Sequence, residues 1–176
     1  MQKWIVGFSV LVLVLLAFAF KPSGQKEKLK WMTLKEVEDA RKEQKKPVLI
    51  DLYTDWCGWC KVMDQKTYSN KNVIAYLQEK FYAVKINAET RQTINWSGKN
   101  FEFNRSYKTN DFALYLTHGN LSYPTTVIIP ADGSAPLPIP GYLKPAEMEM
   151  ILKYFGEGKY GKQRFDEYSK TFKSSW

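Results

Sequence analysis

The only two cysteines of this 176-residue chain stand three apart, in Asp55-Trp56-Cys57-Gly58-Trp59-Cys60-Lys61. On the first turn of a helix, residues i and i+3 share one face at a Cα separation that a disulfide can bridge. A pair so placed can close and reopen, which is electron-exchange chemistry. The apolar run Val48-Leu49-Ile50-Asp51-Leu52-Tyr53 lies just before the pair, so a strand delivers the chain into that helix. At the junction, unpaired N–H groups and the positive end of the helix dipole favour a thiolate at Cys57, while Cys60 lies one turn in. Cys57 therefore reads as the attacking thiol and Cys60 as the resolving one.

Other uses of two cysteines fit less well. Structural zinc takes about four ligands, and beside the cysteines the chain offers only His118 as a nitrogen ligand, so no metal is expected. Covalent haem attachment needs histidine directly after the second cysteine, where Lys61 stands, and no cofactor is expected. An inert structural bridge is a remaining alternative. Closing so small a loop restrains the unfolded chain very little.

The chain here resembles the thioredoxin superfamily, in particular its secreted thioredoxin-like members, over about residues 29–155. Four features in the same order carry the likeness: Asp51 six residues before Cys57; Lys85 in the strand Phe81-Tyr82-Ala83-Val84-Lys85-Ile86-Asn87; Tyr123-Pro124-Thr125 before the strand Thr126-Val127-Ile128-Ile129; and Gly141 before the last core helix. The resemblance implies an α/β thioredoxin-like fold, a central mixed sheet flanked by helices. To it are added an insertion over residues 89–122, before the cis-proline loop, and a C-terminal helical extension over 156–176. One domain over 31–176 is expected. Trp59 stands where thioredoxin itself usually has proline, which leaves the direction of electron flow open.

The same resemblance implies a thiol–disulfide oxidoreductase, reductase or isomerase-like in character. Asp51 would be the base for Cys60: a carboxyl on a buried strand has its charged form disfavoured and can take a proton near neutral pH, with Lys85 tuning it. Tyr123 and a cis Pro124 would present backbone to an extended substrate segment opposite Cys57. Trp56 and Trp59 would form an apolar rim. The expected partners are protein disulfides or dithiols and a redox partner supplying or accepting electrons. The alternative function is a non-catalytic binding or chaperone module that uses the groove beside Pro124.

Residues 1–20 pattern as an export signal. Lys3 is followed by an uncharged stretch from Trp4 to Phe20, with Ala17-Phe18-Ala19 as a cleavage site. An uncleaved membrane tether is the alternative. Either way the expected location is periplasmic or otherwise extracytoplasmic, with no structural disulfide to spare. Residues 21–30 read as a polar linker. Lys and Arg total 26 against 18 Asp and Glu, a formal charge of +8; the charges are interspersed, so a solvated surface is the default and nucleic acid is not an expected partner.

Further along, Thr33 with Glu36 three later predicts a capped helix from Leu34 to Gln44, and Asn72 to Lys80 a second. Alternation around Ser97-Gly98-Lys99 predicts a hairpin with arms 93–96 and 100–104, followed by a helix from Asp111 to His118. The insertion would be either a wall of a substrate groove or a local lid. Pro136, Pro138 and Pro140 put their missing N–H groups on one side, which marks 137–142 as an edge strand. Pro145 opens the next helix, and Phe165, Tyr168, Phe172 and Trp176 recur at helical spacing.

Overall fold

The computed structural model describes residues 28–176, so the leader and most of the linker lie outside the described residues. Four strands form the central sheet: β1 (Val48–Tyr53), β2 (Tyr82–Asn87), β7 (Thr125–Ile129) and β8 (Leu137–Pro140), in the order β2-β1-β7-β8. β1 and β2 run parallel, joined by two helices, while β7 and β8 are antiparallel to their neighbours. The proline-bearing β8 is an edge strand, where missing donors cost the ladder nothing.

Helices cover both faces. α2 (Gly58–Lys66), α3 (Lys71–Lys80) and α5 (Pro145–Gly156) pack on one face around Leu49, Met63, Ile74, Leu77, Ile128 and Leu152. α1 (Leu34–Glu43) and α4 (Asp111–Thr117) cover the other, over Val48, Ile50, Leu52, Val127 and Ile129. The alternation along β1 decides what Asp51 meets: it shares the face of Leu49, beneath α2. Thr33 caps α1 as a capping box with Glu36, and Asn70 caps α3 through the N–H groups of Asn72 and Val73.

The insertion builds two small ribbons. β3 (Ile94–Trp96) and β4 (Lys99–Phe101) form the expected hairpin, turned by Ser97 and Gly98, both with positive φ. Its second arm does not continue to Asn104. β5 (Phe103–Asn104) pairs instead with β6 (Thr109–Asn110), because the Asn110 side chain ties its NH2 to the carbonyls of Gln92 and Phe101 and bends the chain there. Trp96, Phe101 and Phe112 pack together onto the α1 face, so this part of the insertion completes the core.

Three further boundaries differ from expectation. Leu29 is buried and Trp31 packs against the core, so the packed body reaches into the expected linker. The last strand stops at Pro140, since Gly141 takes φ 96° and turns the chain. The C-terminal helix α6 (Phe165–Thr171) ends before Phe172, and the tail then runs extended. The cause is Glu149: fully buried in α5, its carboxylate accepts from Ser174, Ser175 and the Trp176 N–H, which draws the tail across the helix. No helix among the described residues is long and apolar enough to cross a membrane.

Candidate active site

Cys57 is the N-cap of α2 and is joined to Cys60 by a disulfide with Cα atoms 5.3 Å apart. The Cys60 N–H donates to Cys57 Sγ at 3.1 Å, the capping bond that serine or aspartate makes at other helix starts. In the reduced chain this donor favours negative charge on Cys57. The two sulfur-bearing residues are nearly equally buried, 5% and 3% exposed, so accessibility does not separate them as position on the helix does.

Behind the pair lies Asp51, fully buried on β1. Lys85, its register partner on β2, donates from Nζ to Asp51 Oδ2 and also to Asp64 Oδ1 at 2.6 Å. Burial pushes the Asp51 carboxyl up to about 6, and the Lys85 ammonium pulls against that rise. Asp51 Oδ1 has no hydrogen-bond partner among the described residues. Lys85 is raised: burial works against its charge, but the two carboxylates outweigh it. Its ammonium sits over the rings of Tyr53, Trp31 and Tyr68, at 4.8, 5.4 and 5.7 Å. Cys60 and Met63 are the buried residues of α2, and Asp64, one position on, reaches Lys85, so Cys60 lies on the side of α2 that faces the sheet.

The two tryptophans diverge around the disulfide. Trp56 donates from Nε1 to Glu89 Oε1 at 2.9 Å and meets the Tyr123 ring edge-on at 5.9 Å. Trp59 stacks on Tyr142 at 5.6 Å. Both are mostly exposed, at 67% and 62%. The Tyr123–Pro124 bond is cis, and the Pro124 carbonyl accepts from the Gly141 N–H at 2.8 Å. All eight predicted residues thus gather at one end of the sheet. His118 lies apart as the C-cap of α4, its Nε2 2.9 Å from the Pro136 carbonyl.

Asp64, Tyr68 and Glu89 are site neighbours that the sequence did not yield. Asp64 sits in an ordinary helical polar position, and only the crossing of α2 over β2 brings it to Lys85. Among the described residues no cluster of histidine, cysteine and carboxylate is suited to a metal ion.

A model of the thioredoxin-like domain matches residues 34–156, most of the chain. The chain belongs to the thioredoxin-like domain family. The thiol:disulfide interchange protein DsbD of Yersinia enterocolitica is 32% identical over 40% of this chain, which spans only 15% of that protein. A thioredoxin-fold protein from Helicobacter pylori superposes with a TM-score of 0.57 at 21% identity, covering 72% of this chain and 79% of that one. DsbH oxidoreductase gives 0.54 at 16% identity, over 75% and 87%. The family model and these neighbours show the fold, and within it the CxxC pair closes as a disulfide.

Proposed function

We propose that the chain is a thiol–disulfide oxidoreductase that reduces or rearranges disulfides of exported proteins. The observation that carries this reading is a cysteine pair that caps α2 and closes as a disulfide, on the helix packed over the strand that holds the buried Asp51. In the reducing direction, the Cys57 thiolate attacks one sulfur of the substrate disulfide. That S–S bond breaks, a mixed disulfide forms, and one substrate thiolate leaves. Cys60 then yields its proton to Asp51 and attacks Cys57 Sγ, which releases the second substrate thiolate and closes Cys57–Cys60. The chain loses two electrons and the substrate gains them. Asp51, with a pKa near 6, is mostly ionised at neutral pH, and Oδ1 is the oxygen free to accept the proton.

The surroundings of Cys57 support the reducing or isomerising direction. A strong oxidant owes its potential to a reduced form stabilised by a favoured thiolate. Here the Cys57 sulfur has the Cys60 N–H, while Lys85 is committed to Asp51 and Asp64. Modest thiolate stabilisation supports a reductase or isomerase-like exchanger. Trp56, Trp59, Tyr123 and Pro124 form the rim on which an extended substrate segment lies. The charged start and apolar run of residues 1–20 support export, with the exchange domain outside the cytoplasm.

Trapping tests the assignment. Cys60→Ser should accumulate mixed disulfides through Cys57, and Cys57→Ser should form none. Adducts through Cys60, or substrate capture that persists with both cysteines replaced, would favour a binding module instead. Equilibration in glutathione buffers tests the direction. A potential below about −180 mV fits the proposal, and one near about −120 mV contradicts it.

A further inference from the structure

Joined to Trp56 through Glu89, the insertion forms a cleft of about 730 Å³ lined by Glu89, Arg91, Phe103, Arg105 and Lys108, which the exchange steps leave unused. Its charge is unbalanced. None of Arg91, Arg105 and Lys108 enters an ion pair among the described residues. The single acid, Glu89, is engaged by the Trp56 indole at 2.9 Å. Arg91 lies 5.0 Å over the Phe103 ring, which holds its guanidinium plane in the cleft wall. Arg105 and Lys108 come from the β5–β6 turn, which is pinned by the Ser106 and Tyr107 N–H groups donating to Asn104 Oδ1.

The position of the cleft links it to catalysis. Trp56 directly precedes Cys57, bonds the Glu89 wall and packs on Tyr123, so a chain presenting its disulfide to Cys57 passes the cleft mouth. We propose that this cleft is a specificity surface that takes an acidic polypeptide segment flanking the partner's cysteine. The proposal rests on the oxidoreductase reading above. Three cations lining one cleft, with no ion-pair partner among the described residues, attract carboxylates, and the +8 chain adds long-range steering. Glu89 at the Trp56 end repels acids there, which sets the partner's acidic residues some way along its chain rather than beside the cysteine.

The test uses chain reduced beforehand and freed of reductant. Single-turnover rates are measured on two peptide disulfides of one sequence, differing only in Glu or Gln at the flanking positions, with bis(2-hydroxyethyl) disulfide as a neutral reference. The Glu peptide should react about tenfold faster at low salt, with the ratio falling toward one near 0.5 M salt. Arg91→Gln with Arg105→Gln should also bring the ratio toward one. Lys108→Asn, which suits the φ of 53° at that position, should lower it partway if the double variant folds poorly. Equal rates on both peptides, with the neutral reference still reduced by the wild-type chain, would overturn the cleft proposal alone. Failure to reduce any of the three disulfides would overturn the oxidoreductase reading, and the cleft proposal with it.

Discussion

Asp51 is the residue on which the exchange chemistry and the stability of the fold pull in opposite directions. Moving a buried carboxyl from 3.8 to about 6 disfavours the charged native state by about 3 kcal/mol at neutral pH. Between those two values the native chain binds more protons than the unfolded chain, so stability falls as pH rises through the window. Asp51→Asn should therefore raise stability at pH 7.5 by about 1–3 kcal/mol, because Lys85 keeps Asp64 as a partner. The gain should vanish below about pH 4, where aspartic acid and asparagine are nearly equivalent. Urea titrations at the two pH values check this. The same substitution should slow closure of Cys57–Cys60, and a stopped-flow pH profile should lose its inflection near 6.

At the scale of elements, much of the site was legible. The apolar run of β1, the capping box of α1 and the cysteine spacing each depend on contacts close in sequence. The break between β4 and β5 was not, because two-residue strands carry no periodicity and the bend comes from Asn110, nine residues beyond Phe101. Asp64 was hidden for the same reason: its partner is on another element. Close packing at the end of α5 gives a further prediction. A Cβ at Gly156 would lie 2.8 Å from the Tyr76 hydroxyl and 3.2 Å from Phe81. Tyr76 is hemmed in by Phe81 and Trp176, so Gly156→Ala should cost about 1 kcal/mol net despite alanine's better helix propensity. Denaturant midpoints measure the sign.

Across the whole molecule, the C-terminal tail closes the body by wrapping Glu149, the one buried glutamate among the described residues. Burial alone would raise the Glu149 carboxyl, but Lys153, Ser174 and Ser175 outweigh it and hold it at about 2. A depressed native value contributes stability above the ordinary glutamate range and loses it as pH falls from about 4.5 toward 2. Glu149→Gln should cost about 2–3 kcal/mol at pH 7 and shift the Trp176 fluorescence as the tail loosens. Acid unfolding of the wild type should set in within that window. The tail's path could not be read from sequence, since Glu149 in Ala146-Glu147-Met148-Glu149-Met150 looks like an ordinary exposed acid. Disulfide exchange through Cys57 and Cys60 is tested by counting thiols. Reduced chain mixed with an equimolar protein disulfide should release two substrate thiols per chain and end with Cys57–Cys60 oxidised. No thiol release, or release that survives Cys57→Ser, would contradict it.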